Sequence, residues 1–193
     1  MSKGEATRET ILDAASTLAG TVGLGGMTIG TLAASTRLSK SGLYAHFRSK
    51  ESLQVQVLEH TRARFVAEVV APALTVARGE PRVRAMFENW LAWDAQPGGC
   101  LFVAASSELD DQPGPVRDRL VRDQRDWLDT LAAVFRTGLA EGHFQADADP
   151  EQFAFDLDGV MLSCHMSNRL LGDHTAEGRA RRAFEALLAT ARA

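Results

Sequence analysis

The strongest structural constraint in this chain of 193 residues is the segment 28–53, which reads TIGTLAASTRLSKSGLYAHFRSKESL. Its apolar residues recur at helical spacing in two short stretches, Ile29, Leu32 and Ala33 followed by Leu43 and Phe47. Residues 36–38 separate the two stretches and leave room only for a tight corner. Two short helices that meet at such a corner, each with one buried face, are typical of a helix-turn-helix.

Three polar residues stand where the helices of this segment should begin. Thr28 follows a glycine-rich stretch, Ser39 follows the corner, and Ser49 precedes a third helical pattern. Each side chain can accept a hydrogen bond from the free N–H groups of a first helical turn. We therefore predict that helices begin at these three residues.

The outward face of the second helix carries side chains suited to DNA. Lys40, Ser41 and Tyr44 cluster near its amino-terminal end, the end that a DNA-reading helix inserts into the major groove. Lysine and serine reach base edges or phosphates, and tyrosine donates to phosphates. Lys50 adds a positive charge to a helix start, where phosphates bind readily. The predicted DNA-binding residues are Thr28, Arg37, Ser39, Lys40, Ser41, Tyr44, His46 and Lys50.

The charge of the chain is divided unevenly along its length. The formal net charge is −4, which by itself argues against a nucleic-acid partner. Residues 1–65, however, hold eight Lys or Arg against five Asp or Glu, a net +3, and the remainder holds 13 against 20, a net −7. We expect the basic part to approach DNA and the acidic part to stay away from it.

These residues resemble the DNA-binding domain of the tetracycline-repressor (TetR) family of bacterial one-component regulators. The resemblance covers roughly the first 55 residues and ends in the pattern Leu-Tyr-x-x-Phe-x-x-Lys. It is carried by Ile11, Leu12, Ala15, Leu18, Ala19, Gly23, Thr28, Leu32, Ala33, Leu43, Tyr44, His46, Phe47 and Lys50. One departure is Arg37, since many members have glycine at the corner, and glycine reaches positive φ without strain. Arg37 is either a phosphate contact or a solvated surface residue.

The rest of the chain also has helical periodicity, without strand-type alternation of useful length. A long helix from Ser49 should end or kink at Pro72, because proline lacks the N–H that a helix needs. Further helices are predicted over about 81–96, 100–109, 115–142, 150–171 and 175–193. We predict an all-α protein of about nine helices, with a three-helix DNA-binding domain at 1–48 and a helical effector-binding and dimerisation domain at 49–193.

The resemblance implies a homodimer and an effector cavity. Members of the family pair their last two helices with those of a second subunit, and two DNA readers then bind a near-palindromic operator in double-stranded DNA. The cavity lies among the middle helices and suits a small apolar or aromatic effector. The candidate effector-binding residues are Trp90, Trp93, Phe102, Trp127, Met161 and His165. Aromatic residues at helical spacing are nevertheless more often core than cavity lining.

The function that the resemblance implies is a repressor that leaves its operator when an effector binds. Effector binding would favour an arrangement in which the two DNA readers no longer match successive major grooves. An activator and a ligand-independent regulator stay open as alternatives, as does a helical adaptor without DNA binding. An enzyme with Cys100 as nucleophile and His143 or His165 as base is a weaker alternative, because no catalytic motif accompanies them.

Cysteine content and hydropathy bear on the cellular compartment. Cys100 and Cys164 are too few and too far apart for a disulfide framework or a zinc site. No stretch resembles a signal peptide, and no apolar run has the length of a membrane span. We expect a cytoplasmic protein, associated with the nucleoid when bound to DNA, with no membrane partner, metal or cofactor.

Overall fold

The computed structural model describes residues 3–36 and 38–193; for residues 3–7 and Tyr44 it describes the backbone alone. Over these residues the protein is all-helical, as predicted, with one isolated β-bridge between Phe144 and Arg192. The helices are α1 (Lys3–Gly26), α2 (Ile29–Thr36), α3 (Lys40–Phe47), α4 (Lys50–Phe65), α5 (Ala71–Thr75), α6 (Glu80–Asp94), α7 (Leu101–Leu109), α8 (Pro115–Ala140), α9 (Pro150–Arg169) and α10 (Ala176–Ala191). No helix of this described part has the length and apolar character to span a membrane.

The chain forms two compact units. The amino-terminal unit comprises the described residues of Met1–Arg64 together with Gln96–Asp123, and so contains α1 to α3, most of α4, α7 and the start of α8. The carboxy-terminal unit comprises Phe65–Ala95 and Gln124–Ala193. The predicted division at residue 48 stays a prediction about function, because compactness alone does not identify which residues bind DNA.

Side-chain caps, prolines and glycines mark the ends of several helices. Asp149 accepts from the N–H groups of Glu151 and Gln152 at 2.9 and 3.1 Å, so α9 begins at Pro150. Proline also stands in the first turn of α6, where its missing N–H costs nothing. Glycines with positive φ follow α8 and α9, at Gly142 and Gly172, and end those helices.

The sequence predicted that the long helix from Ser49 would end or kink at Pro72. The helix does not end there. A π-helical turn, Val66–Val70, separates α4 from α5, and the Ala71 N–H donates to the Val66 carbonyl. The helical path then continues to Thr75. A π-helical turn shifts the hydrogen-bonding pattern by one residue, which accommodates a proline that cannot donate. If α4, the π-helical turn and α5 are counted as one segment, the described residues contain nine helical segments.

Each unit has its own apolar core. In the amino-terminal unit the largest fully buried side chains include Ile11, Leu24, Met27, Leu32, Leu43 and Phe47. In the carboxy-terminal unit, aromatic rings stack in two groups, Phe135 with Phe144 and Phe153, and Phe87 with Phe184. Stacked aromatic pairs add to the stability that area burial alone provides. These cores fix the helices that carry the candidate sites.

Candidate nucleic-acid interface

The start of α2 is fixed by two threonines that cap each other. The Thr31 N–H donates to the Thr28 hydroxyl at 3.1 Å, and the Thr28 N–H donates to the Thr31 hydroxyl at 2.8 Å. This reciprocal pattern satisfies N–H groups that the first turn of a helix leaves free. Ile29, Leu32 and Ala33 are buried, as their spacing predicts.

The second helix of the motif, α3, is held by its buried face and by its cap. The Gly42 N–H donates to the Ser39 hydroxyl at 3.1 Å, and the Ser41 hydroxyl lies 3.2 Å from the same oxygen. Leu43 and Phe47 are completely buried. The helix therefore has a defined orientation, and its remaining face is directed outward.

The outward face of α3 is the surface that the sequence predicted to read DNA. The side chains of Lys40, Ser41 and His46 are exposed. Arg37 and the side chain of Tyr44 lie outside the described residues, so their roles stay predictions. From Thr28 to Lys50 the chain holds four Lys or Arg and no Asp or Glu, so this segment attracts phosphate.

Arg48 is a basic residue of this segment that the sequence analysis missed. It lies between α3 and α4, is exposed, and has φ +62°, which makes it the one non-glycine residue with positive φ among the described residues. Left-handed backbone at a residue with a Cβ is uncommon outside functional or strained sites. The sequence did contain a signal for Arg48, because its positive charge lies next to the helix start that we predict to bind phosphate.

The start of α4 is capped as predicted, but Lys50 also makes a contact that the sequence did not indicate. The Ser52 N–H donates to the Ser49 hydroxyl at 3.0 Å. The Lys50 ammonium, in turn, donates to the Gly25 carbonyl at 2.6 Å, which ties α4 to the end of α1. Lys50 therefore has a structural partner, and its role as a phosphate ligand stays a prediction.

The predicted effector residues are divided between the two units. Trp90, Trp93, Trp127, Met161 and His165 belong to the carboxy-terminal unit, where all five are buried. Phe102 lies on α7 of the amino-terminal unit and is also buried.

Within the carboxy-terminal unit, the rings of Trp93 and Trp127 both meet Phe65 edge to face, at centroid distances of 5.5 and 5.0 Å. Burial raises the pKa of the Asp158 carboxyl, and a hydrogen bond from the Trp127 side chain opposes that shift. His165 Nδ1 lies 2.6 Å from the Asp94 carboxylate. This part of the unit therefore combines aromatic packing with buried polar pairs.

In the catalytic alternative, the proposed nucleophile Cys100 is buried, whereas the candidate base His143 is exposed. Cys100 and Cys164 are both buried free thiols. Burial, assisted by the carboxylates of Asp94 and Glu177, raises the pKa of the Cys164 thiol to about 11, which disfavours the thiolate. His143, the other candidate base, is exposed and accepts at Nδ1 from the Glu80 N–H at 3.2 Å.

One face of α9 exposes large apolar side chains. Phe155, Met166 and Leu170 are 71%, 49% and 77% exposed, and they lie at helical spacing with the exposed Leu162. A groove of about 670 Å³ runs beside them, with walls from both α9 and α10 that include Gly159, Cys164, Ala180 and Leu187. An apolar stripe of this kind on a water-facing helix is typical of an interaction surface.

Comparisons with known proteins agree with the helix-turn-helix. Residues 11–57 match the family model described as bacterial regulatory proteins, tetR family, and residues 79–184 match the one described as tetracyclin repressor-like, C-terminal domain. No curated protein is a significant match in sequence.

Solved structures share the whole fold. A TetR transcriptional regulator from Chloroflexus aurantiacus is 27% identical, with a TM-score of 0.84 over 98% of this chain and 96% of that one. A TetR-family regulator from Agrobacterium tumefaciens is 21% identical, with a TM-score of 0.86 over 98% and 99%. AibR, solved in complex with isovaleryl coenzyme A and operator DNA, is 23% identical, with a TM-score of 0.68 over 90% and 95%. The carboxy-terminal match alone spans more than half of the chain, and together with the amino-terminal match it shows that this protein belongs to the TetR family of DNA-binding transcriptional regulators.

Proposed function

We propose that the protein is a homodimeric repressor that binds a near-palindromic operator through α3 and leaves it when a small effector binds. The observation that carries the DNA-binding part is the surface of α3. Its exposed Lys40 and Ser41 stand at the amino-terminal end of a helix whose other face is anchored by fully buried Leu43 and Phe47. A rigid helix with such side chains at its amino-terminal end fits the major groove.

Within this surface we assign two different tasks. Lys40 and Ser41 read base edges, because they lie at the end of the helix that enters the groove. Tyr44, Arg48 and Lys50 position the protein on the phosphate backbone, with Thr28, Arg37, Ser39 and His46 at the edges of the same surface. A helical adaptor without DNA binding would have no use for this concentration of basic residues.

Selection of bound duplexes from random DNA tests the DNA-binding part. We expect the purified protein to enrich a short, near-palindromic sequence and to bind it at least about a thousandfold more tightly than a scrambled duplex at physiological salt. A protein that enriches no sequence, or that binds heparin as well as any duplex, would contradict the proposal.

The enriched duplex also tests the two tasks. Replacement of Lys40 or Ser41 by alanine should change which bases are enriched, whereas Tyr44→Phe and Arg48→Asn should weaken binding to all sequences by similar factors. Equal behaviour of both pairs would show that the division into base-reading and phosphate-binding residues is wrong.

The apolar face of α9 supports the homodimer. Phe155, Leu162, Met166 and Leu170 are exposed to water in the single chain, and a second copy that contributes the same face would remove them from it. A dimer also places two recognition surfaces on one DNA molecule, so two weak half-site contacts act together. We expect the α9 and α10 helices of two copies to pack against each other.

Effector control is supported by one protein of similar fold. AibR was solved with isovaleryl coenzyme A and operator DNA, so a protein of this fold binds both kinds of molecule. We assign the effector contacts to the aromatic region around Trp90, Trp93 and Trp127, with Met161, His165 and Phe102 as further candidates. An activator or a ligand-independent regulator is the second candidate function. Operator affinity that stays constant across a broad screen of small molecules, in a folded dimer, would favour the ligand-independent form.

A further inference from the structure

A carboxylate from α7 closes the glycine-rich end of α1. Gly23, with φ +79° and ψ 161°, interrupts α1, and a single turn restarts there because the Met27 N–H donates to the Gly23 carbonyl at 3.2 Å. N–H groups in the first turn of a helix have no partner within it. The Glu108 carboxylate accepts from two of them, at 2.8 Å from the Leu24 nitrogen and also from the Gly25 nitrogen. We call residues 23–26 the glycine turn.

The glycines of this turn make room for the carboxylate. A Cβ at Gly25 would overlap the Glu108 Oε1 atom, and a Cβ at Gly23 would lie 2.9 Å from its Oε2 atom. Gly23 also needs its positive φ, which residues with a Cβ seldom adopt. The turn and the carboxylate are therefore matched in shape as well as in charge.

The carbonyl groups of the same turn are held by α4. Lys50 Nζ donates to the Gly25 carbonyl at 2.6 Å, and the buried Gln54 Nε2 donates to the Leu24 carbonyl at 2.6 Å. Lys50 is the first residue of α4 and lies three residues after the end of α3. The N–H groups of the glycine turn thus contact α7, and its carbonyl groups contact α4, the helix that follows α3.

We propose that Glu108 is a positioning residue for DNA recognition, which holds the glycine turn and, through it, the starts of α2 and α4 that flank the DNA-reading helix. This inference rests on the proposed DNA-binding function. Leu24 and Met27 are fully buried, and Thr28 begins α2 directly afterwards, so a shift of the turn displaces α2. Glu108 forms part of the wall of a cleft of about 350 Å³, so there is space beside the turn into which its carboxylate could swing.

The first test compares Glu108→Gln with the wild-type protein on two duplexes, the one enriched by the wild type and a scrambled one. Glutamine keeps the size of the side chain but loses the charge and one acceptor oxygen, so the turn is held less firmly. We expect affinity for the enriched duplex to fall about tenfold, because hydrogen bonds to a charged group are lost. Affinity for the scrambled duplex should change less than about twofold, because non-specific binding depends on the Lys and Arg residues that contact phosphates, and these stay in place.

Asp111→Asn is the matched control. Asp111 is exposed on the connection between α7 and α8, and its replacement changes the net charge by the same amount. We expect its affinity for both duplexes to stay within about twofold of the wild type, because solvent and salt screen an exposed charge.

A second variant breaks the contact from the other side. Gly25→Ala leaves Glu108 unchanged but adds a methyl group that overlaps its Oε1 atom, so the carboxylate has to move away from the Gly25 N–H. It should lower affinity for the enriched duplex to a similar extent, and the double variant should lose little more than either single one, because both remove one interaction. If Glu108→Gln does not fold, the result for Gly25→Ala decides.

Hydrogen exchange of the Leu24 and Gly25 amides in the free protein supplies a readout without DNA. Both amides should exchange faster in Glu108→Gln while the Leu32 and Phe47 amides keep their protection. Unchanged affinity for the enriched duplex despite faster exchange would overturn the positioning role. Equal losses on both duplexes would also overturn it, since they indicate general destabilisation. If the wild-type protein enriches no duplex, the proposed function fails first, and the inference with it.

Discussion

At Arg48 the backbone adopts a conformation that costs an arginine about 1 kcal/mol, because its Cβ approaches the neighbouring carbonyl oxygen. The protein would be more stable with glycine or asparagine at this position between α3 and α4. We propose a DNA-binding role for this exposed arginine, because its charge lies in the basic segment from Thr28 to Lys50. We therefore expect stability and DNA affinity to respond in opposite directions when this residue is changed.

Arg48→Gly should raise the free energy of unfolding by about 0.5–1 kcal/mol, because glycine reaches positive φ without strain. The same change should weaken binding to every duplex and lower the slope of log affinity against log salt by about 1, since one phosphate contact is lost. Urea denaturation measures the first quantity, and fluorescence anisotropy at several salt concentrations measures the second.

Two further variants of Arg48 separate strain from charge. Arg48→Asn tolerates positive φ and removes the charge, so it should reproduce the weaker binding without glycine's flexibility. Arg48→Lys keeps the charge and should retain most of the affinity. An unchanged salt slope in Arg48→Asn would show that Arg48 does not contact phosphate.

At the scale of helices, α6 and α10 are joined by a cluster of ion pairs in the carboxy-terminal unit. The Glu80 carboxylate accepts from Arg192 at 2.6 and 2.9 Å and from Arg84 at 2.8 Å. Arg84 also donates to Glu185 at 2.9 Å. Hydrogen bonds from Arg192, and more weakly from Arg84, lower the pKa of Glu80 to about 2 against the opposing effect of burial.

The lowered pKa of Glu80 makes the stability of this unit depend on pH. A carboxyl whose folded pKa lies below its ordinary value of 4.5 stabilises the fold above about pH 4.5, and this contribution disappears as the pH falls through about 2. Glu80→Gln should lower the free energy of unfolding at pH 7 by about 1 kcal/mol, because solvent screens the half-exposed arginines. The difference from wild type should shrink between pH 4.5 and pH 2 in urea denaturation.

Glu151→Gln is the control for this prediction. Glu151 pairs with Arg136 in an ion pair that is exposed on both sides, and such pairs contribute little. A loss as large in Glu151→Gln as in Glu80→Gln would show that the α6–α10 cluster has no special role.

At the scale of the whole molecule, the apolar face of α9 determines the assembly that we expect. Four large apolar side chains on one helical face, next to a groove between α9 and α10, leave an apolar stripe in contact with water in a single chain. Pairing two copies through this face buries the stripe, and each copy contributes the same surface. In the proposed dimer, DNA binding and assembly are linked, because each half-site of the operator needs one of the two subunits.

Phe155→Glu should convert the dimer to a monomer at micromolar concentration, since burial of an unpaired carboxylate costs several kcal/mol. Sedimentation equilibrium measures the association, and affinity for the enriched duplex should fall with it. Leu74→Glu is the matched control, because Leu74 is also exposed but lies on α5. A wild-type protein that sediments as a monomer, alone and with DNA, would contradict the proposed assembly.

Local sequence was enough to predict most helix starts and the buried faces of the helix-turn-helix. Thr28, Ser39 and Ser49 act as caps, as predicted, and each lies within three residues of its partner. Caps and apolar periodicity involve residues within one or two helical turns, so helix starts and buried faces can be predicted from the sequence alone. The TetR resemblance extended this reading to the fold class, and the family matches confirm it.

The tertiary structure alone decided the contacts between residues distant in sequence. The Glu108 carboxylate meets the Leu24 N–H 84 residues away, and the Lys50 ammonium turns to the Gly25 carbonyl. No periodicity or spacing predicts such pairs, because they depend on how helices pack rather than on the preferences of one helix. The sequence thus determined which helices form and which faces they bury, and packing determined which polar groups of those helices meet.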